Sequence, residues 1–495
     1  MERSAGILMP IFSLPNQYGI GCFSKEAYQF VDFLERAGQR WWQILPLHPT
    51  GFGDSPYQSF SVFAGNPYFI DLEGLVAEGV LTEAECSRAG LENSEDAVDY
   101  KLQYEKRYGL LRKAYERSGI SENQDYRNFL SQNADWLIEY ALFMALKGFF
   151  GGKPWQEWPE VIRWHRADVV EQYQRELYFD MEFHCYLQFK FFEQYERLKR
   201  YANERNIHII GDIPIYAAMD SADVWAEPYL FQLNKNLLPQ AVAGCPPDGF
   251  SADGQLWGNP LYRWEVHRET GYAWWTKRLA HMFRLYDVTR IDHFRGFDAY
   301  YSIPYGGNTA EGHWEKGPGM ELFRHVEQAL GKHWLIAEDL GHMTDSARQL
   351  VQESGFWGMK VLEFAFDSRD TSANEHLPHQ YPENCVVYTG THDNQTMQGW
   401  FRSISGEEQK QARAYLWDWY TPQALLYRSF ISLAMRSPAK LCIIPLQDYL
   451  GLDDRARINI PSTVGKNWQW RVKKENLTDV LAAEIRETTK RYGRL

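Results

Sequence analysis

The apolar positions of this 495-residue chain cluster in short runs separated by longer amphipathic stretches. Eight runs stand out, at 6–9, 41–47, 207–210, 288–291, 334–337, 359–362, 386–389 and 441–444. They lack strict alternation, so each predicts a strand buried on both faces, as in a parallel sheet. Helical spacing fills the gaps. After Ser24, a fitting N-cap, Ala27, Phe30, Val31 and Leu34 recur at i, i+3, i+4 and i+7, and Gly38 is a stop signal. Phe183, Leu187, Phe191 and Tyr195 form an i+4 row just before the run at 207. Alternating strand and helix implies crossover connections, and eight strands predict an α/β protein, a closed (β/α)8 TIM barrel.

Two spacings are too long for a single strand–helix unit. Residues 65–180 are rich in Glu, Lys, Gln and Leu and predict a mostly helical insertion. Residues 216–285 carry the turn signals Pro246-Pro247-Asp248-Gly249 and Asp253-Gly254 and predict a loop-rich insertion. The expectation is one catalytic barrel spanning 1–495, with both insertions on its C-terminal rim. Trp257 places a candidate lid in the second insertion.

Composition narrows the partners. Lys and Arg number 52 against 65 Asp and Glu, and the net charge of −13 argues against nucleic acid or an anionic membrane surface. No run approaches the ~18 uncharged apolar residues of a membrane span. The first residues lack the pattern of a signal peptide. Six scattered cysteines show neither C-x-x-C nor metal-ligand spacing, so reduced thiols and a cytoplasmic location are expected. Aromatic residues make up 16% of the chain, enough to fill a core and still line a sugar-binding surface beside carboxylates.

Candidate chemistry lies at the ends of the runs. In a barrel of this type, strand carboxyl ends converge on one pocket. Asp212, Asp292, Glu338 and Asp393 follow four different runs. Clustered carboxylates can hold a hard metal ion or carry out glycoside chemistry. Arg290 lies two residues before Asp292, so both side chains can share one face of a strand. A guanidinium there keeps a nucleophile ionised and repels a metal ion. His293 and His392 suit hydrogen bonds to hydroxyls. No H-x-x-x-H pair, P-loop, dinucleotide fingerprint, nucleophile elbow or zincin motif is present. A metal-dependent barrel enzyme stays open as an alternative.

An ordered series of segments then adds a family. Gly53-Asp54-Ser55-Pro56-Tyr57-Gln58, Gly211-Asp212-Ile213-Pro214 and Arg290-Ile291-Asp292-His293-Phe294-Arg295-Gly296 are followed by Ala337-Glu338-Asp339-Leu340-Gly341, Thr391-His392-Asp393-Asn394 and Pro445-Leu446-Gln447-Asp448. Together they resemble the 4-α-glucanotransferases (amylomaltases or disproportionating enzymes, glycoside hydrolase family 77), relatives of the α-amylase barrel enzymes. The resemblance implies transfer of α-1,4-glucan segments without a cofactor. The partners implied are maltooligosaccharides, starch- or glycogen-derived glucans, and glucose as acceptor. It makes Asp292 the nucleophile, Glu338 the general acid and base, and Asp393 a stabiliser of the flattened sugar ring. It gives Ser55, Tyr57, Arg290, His293, His392, Asp212, Asp248, Trp257 and Asn459 substrate-binding roles. Tyr57 stacks on the sugar, Arg290 keeps Asp292 ionised, and Asp212 sits behind Arg290. Ser462 stands where the family carries Gly or Ala, so a different local turn is expected. The alternatives are an amylase-type hydrolase and a carbohydrate-binding barrel without catalysis.

Overall fold

The computed structural model describes residues 2–51, 53–92, 94–247, 253–341, 343–367 and 374–495. Eight parallel strands form its centre: β1 (Ser4–Leu8), β2 (Trp41–Gln43), β3 (His208–Ile213), β4 (Val288–Ile291), β5 (Leu335–Ala337), β6 (Gly358–Val361), β7 (Cys385–Tyr388) and β8 (Leu441–Pro445). Each pairs with its neighbour in chain order, and β8 pairs with β1. A parallel bridge between Ile336 and Trp357 closes the ring between β5 and β6. Every run singled out in the sequence is a barrel strand.

Alternate residues of each strand face different layers, which is why the runs are continuous. On β8, Leu441 and Ile443 join a cluster inside the barrel, whereas Cys442 and Ile444 pack outward against the helices. On β3, Ile210 faces inward and Ile209 outward. Continuing inward by twos, β3 presents Asp212 and β4 presents Val288 and then Arg290, so charge replaces hydrocarbon only at the carboxyl end. Gly211 is required by packing: a Cβ there would fall 2.2 Å from the Tyr286 ring.

The helix Lys25–Arg36 buries Ala27, Phe30, Val31 and Leu34. The helix Tyr178–Glu204 buries the row Phe183, Leu187, Phe191 and Tyr195 and leads into β3. Between β2 and β3 the chain is largely helical, including Tyr108–Arg117, Gln124–Gln132 and Ala134–Phe149. Between β3 and β4 the chain is more ordered than its turn signals suggest. Ala241–Cys245 and Gln255–Pro260 pair antiparallel, and Ala299–Pro304 and His313–Lys316 complete a four-stranded sheet. Its last two strands in the sequence follow β4 and so lie beyond residue 285. No helix among the described residues is long and apolar enough to cross a membrane.

Candidate active site

Backbone pairing continues past the strand ends and sets the carboxylates side by side. Asp292 N donates to Ile213 O at 2.9 Å, and Glu338 N donates to Ile291 O at 3.1 Å. His293 then turns into the left-handed region at φ 52°, which aims its own N–H at Glu338 Oε2, 2.6 Å away. Arg290, almost fully buried, is the hub. Its Nη1 donates to Asp212, and its Nη2 donates to both Asp292 Oδ1 and Glu338 Oε2 at 3.1 Å. Two oxygens on one nitrogen can be no farther apart than twice that distance. An approach this close suits the shorter carboxyl separation of retaining glycosidases better than the wider gap that seats a water in inverting ones.

Asp393 enters from the loop after β7. The Asn394 side chain accepts from Thr391 N and Oγ1, which holds this loop. Asn459 Nδ2 donates to Asp393 Oδ1 at 2.6 Å, and Arg457 Nη2 donates to Asp393 O at 2.6 Å. Tyr57 stacks on His392, with ring centroids 5.2 Å apart and planes 13° apart, and its hydroxyl donates to Asp212 Oδ2 at 2.8 Å.

The electrostatics separate the acids. Burial and the neighbouring Glu338 charge push the Asp292 carboxyl well up, and Arg290 opposes them. Burial alone would also raise Asp393, but His392, Asn459 and Arg290 outweigh it and hold this carboxyl at about 2. Burial pushes the His293 imidazole down to about 4. Neutral at ordinary pH, it has a buried Nε2 without a protein partner. That atom can bond a hydroxyl.

These groups line one cavity of about 380 Å³. Ser55, Tyr57, Trp257, Arg290, Asp292, His293, Glu338, His392, Asp393 and Asn459 all border it. Asp212 does not. It is fully buried behind Tyr57 and Arg290 and reaches sugar only through them. Asp248 lies outside the described residues. Among the described residues, no group of His, Cys, Asp and Glu is arranged to hold a metal ion.

A profile of the 4-alpha-glucanotransferase family matches residues 9–478. The chain belongs to the 4-alpha-glucanotransferase family. It is 45% identical to the 4-alpha-glucanotransferase of Clostridium butyricum over 488 residues, 98% of this chain and all of that protein. It is 42% identical to the enzyme of Thermus thermophilus over 508 residues, covering both proteins completely. The solved structure of amylomaltase from Streptococcus agalactiae in complex with acarbose superposes with a TM-score of 0.96 at 40% identity, covering both chains fully.

The glucanotransferase cleft is also lined by Trp468 and Trp314, which no motif marked, beside residues that were marked. Trp468, at φ 64°, tilts against both Tyr57 and His392. Arg295 lies 3.8 Å from the Trp314 ring centroid on the opposite wall. Trp257 meets His293 edge-on at 4.8 Å, and Gln58 binds the Asn259 side chain and the Trp257 carbonyl. Only aromatic abundance hinted at Trp468 and Trp314, whereas Trp257 was expected here. Ser462, at φ 62°, adopts the left-handed backbone that a glycine would favour.

Proposed function

We propose that the cleft transfers an α-1,4-glucan segment to the 4-hydroxyl of an acceptor glucan or glucose by a retaining double displacement. The observation that carries this reading is the shared Arg290 nitrogen, which brings Asp292 and Glu338 within one sugar's reach. Asp292 attacks the anomeric carbon while the proton of the pair passes from Glu338 to the departing 4-oxygen. A glucosyl ester on Asp292 results, and the shortened glucan leaves. An acceptor 4-hydroxyl then gives its proton to Glu338 and attacks the same carbon, expelling Asp292. Two inversions retain the anomeric configuration.

Asp393, held ionised, accepts hydroxyl hydrogen bonds that strengthen as the ring flattens. Arg290 withdraws negative charge from Asp292 as a leaving group and stabilises it as a nucleophile. The aromatic walls around Trp257 and Trp468 seat an acceptor sugar and give it a high effective concentration against water. In this reading residues 1–495 are one catalytic unit. Insertions 65–180 and 216–285 extend the rim, and the second serves as a lid over the cleft. The six cysteines are buried and free, which supports a reducing compartment such as the cytoplasm.

Incubation with maltotriose and no added cofactor, followed by sizing of the products, tests the proposal. A ladder of shorter and longer oligosaccharides is expected. Glucose and maltose alone would indicate hydrolysis instead.

A further inference from the structure

A second aromatic feature stands away from the cleft. Trp417, Trp419 and Tyr420 expose 86%, 49% and 95% of their surface. They lie in the turn between the helices Gly406–Leu416 and Tyr427–Arg436. None of the three rings stacks on another ring among the described residues. Trp417 ends its helix at φ 56°, the left-handed position that glycine fills most easily. An exposed tryptophan there costs stability in conformation and in hydration, and among the described residues no ring stacking offsets it.

The turn is nevertheless rigid. Arg413 donates to the Asp418 and Thr421 carbonyls at 3.0 and 3.1 Å. The Asp418 carboxylate accepts from Thr421 N at 3.0 Å and from Ser429 Oγ at 2.6 Å. The rings are thus carried on a fixed frame, with little ordering entropy left to lose on binding.

The frame belongs to the same end of the barrel as the cleft. The helix Tyr427–Arg436 runs back to the start of β8, so its first residue lies at the carboxyl end of the strands. Gln398 Nε2 donates to Ala424 O at 2.8 Å, which ties the turn to a helix that begins just after Asp393. Asp393 and Gln398 are five residues apart, at most ~18 Å of fully extended chain. Two indoles and a phenol make up most of the exposed apolar surface of the turn, beside Leu425, and the Asp418 carboxylate between them is taken up by Thr421 and Ser429. Flat rings on a braced turn match the C–H faces of a sugar polymer.

We infer that Trp417, Trp419 and Tyr420 form a second α-1,4-glucan-binding site on the rim, which anchors chains too long to be held by the cleft alone. The inference rests on the glucan reading above. The test uses the full-length enzyme and the double variant Trp417→Gly/Tyr420→Ser, in which glycine suits the left-handed backbone. Native gels containing glycogen, with dextran gels as control, report binding. Kinetics on amylose and on maltotriose report its consequence. The variant should lose glycogen retardation and show a KM for amylose about thirty-fold higher, since each of the two lost stacking contacts is worth ~1 kcal/mol. Its kcat and its maltotriose kinetics should be unchanged. Unaltered retardation and KM would overturn the inference, as would a parallel loss on maltotriose. A wild-type enzyme retarded by glycogen but unable to disproportionate maltotriose would refute the transfer reading and leave this site standing.

Discussion

A buried arginine sits at each end of the barrel, and the two are satisfied in opposite ways. At the amino ends of the strands, Arg494 is fully buried and donates to the carbonyls of Met435, Ser437, Ala439, Lys440 and Ser4. These carbonyls belong to the start of β1 and to the connection entering β8, so the cation closes that end of the barrel. At the carboxyl ends, Arg290 is equally deep but faces Asp212, Asp292 and Glu338. There Asp212 Oδ1 and His293 Nε2 lack protein partners. Most buried polar atoms in a folded protein are paired. His293 Nε2 borders the cleft, where a hydroxyl can complete it. The cation at one pole is thus paired by backbone, and at the other by carboxylates that open onto the cleft.

That contrast can be broken at either pole. Asp292→Asn should lower transfer by at least about 10⁴-fold, because the covalent route is lost. Its thermal midpoint should hold or rise, since a crowded buried charge is removed. A midpoint that fell with activity would show that Asp292 is structural. Arg494→Met should do the reverse. It strands several buried carbonyls and should lower unfolding free energy by about 3–5 kcal/mol in a denaturant titration. The kcat of the remaining folded enzyme should stay within about two-fold, because no group in the cleft is touched.

The pH dependence of stability sharpens the same point. The Asp292 carboxyl is raised in the folded protein, so its ionisation opposes folding. Stability should fall as pH rises from the ordinary carboxylate range through that raised value. The Asp393 carboxyl is held at about 2, so its contribution is complete above the ordinary range and lost as pH falls toward 2. Unfolding measured from pH 3 to 8 should show both slopes. Asp292→Asn should flatten only the upper one. The smallest effect is expected at Trp257→Ala, which should shift products toward hydrolysis by a few-fold. An unchanged transfer-to-hydrolysis ratio would remove that ring from the acceptor argument.

The barrel was legible because parallel strands buried on both faces write continuous apolar runs, as at 441–444. The carboxylates were legible because strand ends converge, so sequence position after a run became position in space. The four-stranded sheet was not legible. Its strands include Gly244 and Gly258, Leu256 and Gly258 of Gln255–Pro260 are open to solvent, and its central pairing joins segments about 60 residues apart. Trp468 escaped notice because irregular chain has no periodicity to mark which ring faces a cleft, and Trp314 because its short strand was not legible. Asp212, grouped with the substrate-binding residues but expected behind Arg290, is buried there and hydrogen-bonded to both Tyr57 and Arg290.

The account depends on Asp292, rather than its neighbours, bonding to the sugar. Glu338→Gln removes the proton shuttle, so an α-glucosyl fluoride, whose leaving group needs no acid, should still load the enzyme and then stall. Intact mass spectrometry followed by peptide mapping should find one added glucosyl unit on the peptide containing Asp292. An adduct on Asp393, or none at all under conditions where the wild type turns over, would contradict the account.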